Sequence, residues 1–131
     1  MTGLIVFAHG STVEEANEGV RALTANVASR GSYDVVETAF LDCAEPTLGQ
    51  AVAALSARGA TRILVVPFFL TLGVHLKRDL PGIVERLRSI HPGMTIEVTA
   101  PLEGHPALVD MVIGRAEEAL HGGRRSAGET C

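Results

Sequence analysis

Ionisable side chains follow three short apolar runs of this sequence. His9 comes directly after the run at residues 4–8, Asp42 follows residues 33–41, and His75 follows residues 63–70. Two imidazoles and one carboxylate form a donor set that suits a divalent transition metal and leaves coordination positions open for a substrate. Taken singly, His9 and His75 are each more typical of a hydrogen-bonded structural histidine than of a metal ligand. The three together predict a metal site if the fold brings them to one place.

The densest group of such side chains follows the third apolar run. Residues 62–79 read RILVVPFFLTLGVHLKRD, and the first part of this stretch predicts a strand that is buried on both faces. His75, Lys77, Arg78 and Asp79 follow within a few residues. Lys77 and Arg78 are candidates for binding an anionic substrate, and a solvated helix start is the alternative. Asp79 is expected to cap the next helix.

Four apolar runs alternate with four amphipathic segments along the chain. Strands are predicted at residues 4–8, 33–41, 63–70 and 95–100, with a helix after each. Because consecutive parallel strands need a crossover helix, this order predicts an α/β fold, a four-stranded, mostly parallel sheet flanked by helices in a flavodoxin-like layering. Ser11 or Thr12 is expected to cap the first helix, and Pro46 is expected in the first turn of the second.

In such a sheet, ligands bind beyond the carboxyl ends of the strands, where the strand order reverses. Every candidate ligand follows a strand and is therefore expected at this one edge. These candidates are His9, Asp42 with Glu45, His75, and Glu103 with His105. His105 begins a helix, so capping competes with substrate contact. His91 follows a helix at the opposite edge, where a structural role is expected.

Size and composition predict one domain over residues 1–120, followed by a disordered tail at residues 121–131. The chain has 131 residues, 47% of them hydrophobic and only 4% aromatic, so Ala, Val, Leu and Ile must fill the core. The net charge of −4 argues against a nucleic-acid partner, and any anionic ligand needs a local basic patch.

The cysteines and the first residues favour a cytoplasmic protein. Cys43 and Cys131 lack C-x-x-C spacing, and one of them lies in the predicted tail, so no structural disulfide is expected. The opening residues MTGLIVFAHGS have no basic region before their short apolar run, which predicts a strand and no signal peptide. No segment approaches the length of a transmembrane helix, so no membrane partner is expected.

Several common catalytic motifs are absent. The chain has neither G-x-G-x-x-G nor G-x-x-x-x-G-K-[ST], so no nucleotide fingerprint is present. Ser11 has no G-x-S-x-G elbow around it, which disfavours a serine hydrolase. A hydrolase or phosphate-binding domain that uses HGS as an anion-binding turn stays as a minor alternative.

Several separated segments, in the right order, carry a family resemblance. LIVFAHGS, AFLDCAEPTL, GATRILVVPFFLTLGVHLKRDLP and PLEGHPAL together resemble the short form of the CbiX/SirB type of sirohydrochlorin chelatases, over about residues 3–120. The family's metal-binding histidines match His9 and His75. The family's acidic residue falls on Asp42, where this chain departs from the family with a carboxylate that is one methylene shorter.

The resemblance implies a chelatase-like fold and an enzyme that inserts cobalt, iron or nickel into a sirohydrochlorin-type tetrapyrrole during cobalamin, sirohaem or related cofactor synthesis. It also implies a homodimer, because short members resemble half of the longer two-domain chelatases. The metal is then a substrate, and no permanently bound cofactor is expected. His9 and His75 would bind the ion and accept protons, with Asp42 in support.

The carboxylates of the tetrapyrrole need cationic and N–H partners on a chain of net negative charge. Lys77 and Arg78 are the nearest cations, the N–H groups of Gly10 and Ser11 are further candidates, and His105 is a possible substrate contact. A non-catalytic metal or tetrapyrrole carrier is the main alternative, since it would keep the same histidines without turnover.

Overall fold

The computed structural model describes residues 1–122, in which four strands alternate with four helices. The elements are β1 (Thr2–Ala8), α1 (Glu14–Arg30), β2 (Val35–Phe40), α2 (Leu48–Ala57), β3 (Arg62–Pro67), α3 (Val74–Ile90), β4 (Thr95–Val98) and α4 (Ala107–Gly122). The contacts divide the chain into two compact units. The sheet unit, Met1–Pro101, holds the four strands and α1 to α3, and the second unit, from Leu102 onward, holds α4.

The sheet is parallel throughout, with the strand order β2-β1-β3-β4. Strand β1 therefore lies between β2 and β3, and Val6 pairs with Thr38 on one side and with Val66 on the other. The predicted α/β class and four-stranded sheet are confirmed. The reversal of strand order lies between β1 and β3, so the ends of these two strands flank the crevice that parallel sheets of this order use for ligands.

The core lies on the sheet face that α2 and α3 cover. Because successive side chains of a strand point to opposite faces, Ile5 and Phe7 share this face with residues of matching register on the neighbouring strands. Helix α2 contributes Ala51, Val52 and Leu55 to the same cluster. The strands contribute Val35, Ala39, Ile63, Val65 and Ile96, and α3 contributes Leu80, Val84 and Leu87.

Helix α1 packs on the opposite face through a polar contact. The hydroxyl of Thr38 on β2 donates to the hydroxyl of Thr24 on α1 at 2.8 Å, and both residues are buried. Thr24 in turn donates to the carbonyl of Val20, so neither buried hydroxyl lacks a partner. The helix that leaves the end of β1 is thereby tied to β2, and the layers are helix, sheet and helix as the sequence predicts.

Two predicted helix starts are wrong by a few residues. The N-cap of α1 is Val13, whose hydrocarbon side chain cannot cap the helix, and the Ser11 hydroxyl accepts from the amide of Val13 instead. The N-cap of α2 is Thr47, whose side chain and that of Gln50 form a reciprocal capping box. Pro46 therefore precedes α2 and does not lie in its first turn.

Helix α3 begins at Val74, earlier than its apolar pattern indicates. Gly73 is the N-cap, and the amide of Lys77 donates to the Gly73 carbonyl at 2.9 Å. The expected cap Asp79 lies inside the helix, and Pro81 is an interior residue of it. Leu76 packs partly against the core one turn before Leu80, but residues 77–79 between them are polar and exposed, so the apolar pattern indicates these first turns only weakly. His75 consequently sits in the first turn of a helix.

Helix α4 ends at Gly122, two residues into the predicted tail, and the rest of that tail lies outside the described residues. Among residues 1–122, none of the helices combines the length and hydropathy that a membrane crossing requires.

Replacing Ile63 with Ala should lower the free energy of unfolding by about 2–5 kcal/mol, because Ile63 is fully buried in the core cluster and its loss leaves a cavity. Urea unfolding followed by circular dichroism measures this change. The control is Leu70→Ala, which removes an exposed side chain and should change stability by less than about 0.5 kcal/mol. Equal effects of the two substitutions would contradict this placement of the core.

Candidate metal and substrate site

His9 lies at the reversal of strand order, directly after β1. Its ring packs edge-on against Phe69, with ring centroids 6.4 Å apart, and Phe69 also meets Phe7 edge-on at 6.0 Å. The amide of Phe68 donates to the carbonyl of Phe7 at 2.7 Å, which holds the segment after β3 beside the end of β1. His9 therefore lies between the ends of the two central strands, against the segment that follows β3.

One hydrogen bond determines which nitrogen of His9 is free. Nδ1 lies 3.1 Å from the carbonyl oxygen of Gly10, and since a carbonyl only accepts, Nδ1 carries the proton. In the neutral imidazole the lone pair is then on Nε2. Metal-binding histidines commonly donate their second nitrogen to a backbone carbonyl in this way, which fixes the ring and raises its basicity. His9 is thus prepared to bind a cation or accept a proton through Nε2.

The backbone of Gly10 passes very close to that of Asp42. Gly10 has φ +91°, and a Cβ at this position would lie 1.8 Å from the carbonyl oxygen of Asp42. The amide of Asp42 donates to the carbonyl of His9 at 2.9 Å, and that of Leu41 donates to Ala8 at 2.9 Å. Only glycine permits this approach, which joins the ends of β1 and β2 and places His9 and Asp42 side by side along the carboxyl edge.

The carboxylate of Asp42 folds back on its own loop. Its Oδ1 accepts from the amide of Cys43 at 2.8 Å, and Cys43 takes the left-handed conformation with φ +65°. The side chain of Asp42 is exposed and its other oxygen remains open to a ligand. The thiol of Cys43 is free and exposed next to it.

Asn17 holds the loop between β1 and α1, a role that its position in an amphipathic segment does not indicate. It is 2% exposed, its Oδ1 accepts from the amide of Ser11, and its Nδ2 donates to the carbonyl of Ser11, both at 2.9 Å. The expectation that the Ser11 amide receives a substrate anion is therefore wrong, because Asn17 occupies it. The Ser11 hydroxyl accepts from Val13 and still has its own proton to donate to a substrate.

Arg21 is committed to structure and does not contribute to a basic patch. Its guanidinium donates to Glu14 at 2.6 Å and to Glu18 at 3.3 Å, and it lies 5.3 Å from the centroid of the Phe40 ring. The hydrogen bond from Arg21, reinforced by one from Asn17, lowers the pKa of the Glu14 carboxyl. The same bond raises the pKa of Arg21. This cluster ties α1 to the loop after β2.

The two predicted cations of α3 point to different sides of the helix. Successive residues turn by about 100°, so Arg78 shares a side with His75 whereas Lys77 is directed away from it. Arg78 Nη2 lies 3.3 Å from Nδ1 of His75, and Arg78 Nε donates to Asp79 Oδ1 at 3.1 Å. Arg78 is therefore part of the histidine site, and Lys77 belongs to a neighbouring surface.

Lys77 borders a groove of about 330 Å³ between α3 and β4. Its lining is mostly apolar, formed by Leu72, Leu80, Pro81, Val84 and Val98 with Lys77 and Arg88. Arg88 donates twice to the carbonyl of Ile96, so it is already engaged. Among residues 1–122, no carboxylate lies within 4.0 Å of Lys77, so this ammonium group is available to an anion beside an apolar surface.

The predicted ligands share the carboxyl edge of the sheet without forming a closed cage. His9 and Asp42 are joined through their backbones, and His75 begins the helix after β3. Within residues 1–122, however, no three His, Cys, Asp or Glu side chains are grouped closely enough to hold an ion. A metal ion bound at this edge would therefore need ligands in addition to the side chains of residues 1–122.

The remaining histidines have structural contacts. In the second unit, Nδ1 of His105 accepts from the amide of Ala107 at 3.0 Å, so His105 caps the start of α4. His91 closes the end of α3 through its amide, which donates to Leu87 at 3.0 Å. This agrees with the structural role that its sequence position indicates.

A family model described as CbiX matches residues 3–119. This match spans most of the chain. The chain belongs to the CbiX family. His9 and His75 both lie within the matched range.

Relatives of this CbiX-family chain include chelatases named for two metals. The sirohydrochlorin cobaltochelatase of Methanosarcina acetivorans is 32% identical over 90% of this chain and 96% of its own length. The chloroplastic sirohydrochlorin ferrochelatase of Arabidopsis thaliana is also 32% identical over 90% of this chain, which spans only 52% of that protein. The chain is thus as long as some relatives and about half the length of others.

A solved structure of the sirohydrochlorin chelatase SirB from Bacillus subtilis subspecies spizizenii, in complex with cobalt, has the same fold. Its TM-score is 0.83 at 30% identity, and the match covers 89% of this chain and 50% of the SirB chain. The same α/β architecture therefore occurs in a solved chelatase structure that contains cobalt.

Replacing Gly10 with Ala should lower the free energy of unfolding by about 2 kcal/mol or more, because a side chain there is strained at positive φ and collides with Asp42. Urea unfolding measures the loss. The matched control is Gly19→Ala in α1, where no neighbouring atom lies within 4 Å, and stability should rise by about 0.5–1 kcal/mol. A stable, unperturbed Gly10→Ala protein would contradict the close approach of the two loops.

Replacing Arg21 with Ala should raise the pKa of the Glu14 carboxyl toward its ordinary value, because the hydrogen bond that lowers it is lost. Since the pKa is lowered in the folded protein, the stabilisation from this pair is present above the ordinary pKa of Glu14 and is lost as the pH falls through the lowered value. Carboxyl NMR titration follows the change directly. Arg30→Ala, at the far end of α1, should leave the Glu14 titration unchanged.

Proposed function

We propose that this chain inserts a divalent metal ion into sirohydrochlorin, using the carboxyl edge of the sheet as its active site. The observation that carries the proposal is the hydrogen bond from Nδ1 of His9 to the Gly10 carbonyl, which leaves Nε2 as the nitrogen that can bind a metal or a proton at the end of β1. Membership of the CbiX family and relatives named as chelatases for cobalt and iron support it. Cobalt, ferrous iron and nickel all accept imidazole and carboxylate ligands, so each is a candidate substrate.

The reaction exchanges one divalent ion for two protons. The ion must lose water before the macrocycle can bind it, and the two pyrrole N–H groups must lose their protons as the metal–nitrogen bonds form. A neutral imidazole performs either task, since its lone pair binds a metal or accepts a proton. We assign these tasks to His9 and His75, with the open carboxylate oxygen of Asp42 as a further ligand or proton acceptor.

An open site suits a metal that is a substrate. A cage of three or more protein ligands would retain the ion, whereas delivery requires that the protein ligands be exchanged for the four pyrrole nitrogens. The absence of such a cage within residues 1–122 is compatible with this role, because the macrocycle completes the coordination. The metal is then present only during turnover, and the protein needs no resident cofactor.

The substrate carboxylates need partners on a chain whose net charge is −4. Arg78 beside His75 and Lys77 at the apolar groove supply the cations, and Ser11 supplies a hydroxyl. Nδ1 of His105 caps α4, so His105 would contact the substrate through its other ring nitrogen, Nε2. The proposed location is the cytoplasm, as the spacing of the cysteines suggests.

We further propose that the active form is a homodimer. No residue of α4 is buried, and five large apolar side chains of this helix are exposed: Val109, Met111, Val112, Ile113 and Leu120. Exposed apolar area of this extent is typical of an interface. Because the chain spans only half of the SirB chain, two copies would supply the equivalent length around a large flat macrocycle.

Replacing His9 or His75 with Ala should lower the rate of metal insertion by about a hundredfold or more, because each change removes a metal ligand and proton acceptor. Anaerobic Co²⁺ or Fe²⁺ insertion into sirohydrochlorin, followed by absorbance, measures the rate. His91→Ala at the opposite edge of the sheet is the matched control and should retain activity. Insertion limited to one equivalent of protein would indicate a carrier, and unchanged rates in both variants would rule out the assigned roles.

Replacing Val112 with Glu should shift the protein from dimer to monomer, because a charge is placed among the exposed apolar side chains of α4. Sedimentation velocity at assay concentration measures the shift. Gly114→Glu adds the same charge on the side of the helix that carries Asp110 and Glu117, where no neighbouring atom lies within 4 Å, and should leave the dimer intact. A wild-type protein that is active and strictly monomeric would overturn the proposal.

A further inference from the structure

The two histidines at the carboxyl edge are held by opposite hydrogen bonds. Nδ1 of His9 faces a carbonyl oxygen at 3.1 Å and is a donor, which leaves the lone pair on Nε2 free. Nδ1 of His75 faces the Nη2 of Arg78 at 3.3 Å. A guanidinium has five donors and no acceptor, so Nδ1 of His75 is the acceptor in this contact. His9 is open to a cation, whereas the lone pair of His75 is occupied.

This contact and metal binding exclude each other. A neutral imidazole has one nitrogen with a lone pair in the ring plane, and the other nitrogen carries the proton. While Arg78 donates to Nδ1, the Nε2 of His75 carries that proton and offers no lone pair. Arg78 also places a permanent positive charge beside the ring, which repels an approaching cation. His75 can bind a metal through Nδ1 only after the guanidinium has moved.

The position of Arg78 allows such a movement. Its side chain is 67% exposed, and its only other recorded contact among residues 1–122 is with the neighbouring carboxylate of Asp79 at 3.1 Å. A planar guanidinium binds carboxylates through two parallel hydrogen bonds, which are stronger than a single bond to a neutral imidazole. A carboxylate of the tetrapyrrole that reaches this helix turn therefore competes well for Arg78.

We propose that Arg78 blocks His75 until a substrate carboxylate draws the guanidinium away, so that binding of the macrocycle opens the second metal ligand. This inference rests on the proposed function, because it takes His75 to be a ligand of the incoming ion. The Nη2–H bond of Arg78 changes partner from His75 to the carboxylate, and the metal takes the vacated lone pair of Nδ1. Arg78 acts as a positioning residue that sets the order of binding, with the macrocycle first.

Co²⁺ binding to the full-length protein without tetrapyrrole provides the test, measured by calorimetric titration and by the visible absorbance of bound cobalt. Arg78→Ala should bind Co²⁺ about three- to tenfold more tightly than the wild type, because the competing donor and its charge are gone. Arg78→Lys keeps a donor and the charge and should remain close to the wild type. The same Arg78→Ala variant should show a higher KM for sirohydrochlorin, because it lacks a carboxylate partner.

Two controls separate this contact from other effects. Arg86→Ala removes an equal charge from α3 further from His75 and should leave Co²⁺ affinity unchanged. In the double variant His75→Ala with Arg78→Ala, the gain in affinity should disappear, since Arg78 acts through His75. Loss of the gain in the double variant, together with an inert Arg86→Ala, supports the proposal.

Other results would overturn it in distinguishable ways. If His75→Ala weakens Co²⁺ binding but Arg78→Ala does not strengthen it, His75 is a ligand and Arg78 does not block it. Equal gains from Arg78→Ala and Arg86→Ala would mean a general effect of charge. If His75→Ala changes neither Co²⁺ binding nor the insertion rate, the ligand role of His75 in the proposed function fails, and the blocking role of Arg78 fails with it.

Discussion

The contact between the backbones of Gly10 and Asp42 is the constraint on which the carboxyl edge depends. Parallel strands bring their ends to one side of a sheet, but the loops that follow are free to diverge unless something joins them. Here the missing side chain of Gly10 lets the two loops meet, and the amide of Asp42 closes a hydrogen bond to His9. The backbone of His9 is thereby held in place, and the hydrogen bond from Nδ1 to the Gly10 carbonyl orients the imidazole ring.

Polar side chains of α1 secure this arrangement from the other side. Asn17 satisfies both backbone groups of Ser11, and Arg21 links Glu14 to the loop after β2. These contacts use donors that an anionic ligand would otherwise attract, namely the Ser11 amide and the Arg21 guanidinium. In the proposed function, the cations that bind the acidic macrocycle are therefore Lys77 and Arg78 of α3.

The order of strands and helices was predictable from sequence because long apolar runs alternate with amphipathic segments. His9 and Asp42 could be placed at one edge for the same reason, since each directly follows a run. The start of α3 could not be placed, because Leu76 is the one residue of its first turn that packs on the core, and the exposed polar residues 77–79 separate it from Leu80. Asn17 was also missed, since a buried asparagine inside an amphipathic helix resembles a surface residue until its partner in the preceding loop is known.

The hydrogen bonds of the two histidines could not be predicted from the sequence for a related reason. His75 and Arg78 are three residues apart in the sequence. On a helix this spacing makes their side chains neighbours, whereas in a loop it does not. The prediction of Lys77 and Arg78 as one basic patch followed from their adjacency in the sequence. Once the segment is helical, the two cations diverge, and only Arg78 meets the imidazole.

Pro81 interrupts the backbone hydrogen bonds near the middle of α3. A proline has no N–H, so the carbonyl of Lys77 lacks the donor that a helix normally supplies four residues further along the chain. On both sides of this point the helix faces the core, through Leu76 and Leu80 before it and through Val84 and Leu87 after it. Because Pro81 is itself exposed, water can satisfy the carbonyl of Lys77, so the helix gives up one backbone hydrogen bond here without leaving a buried acceptor unpaired.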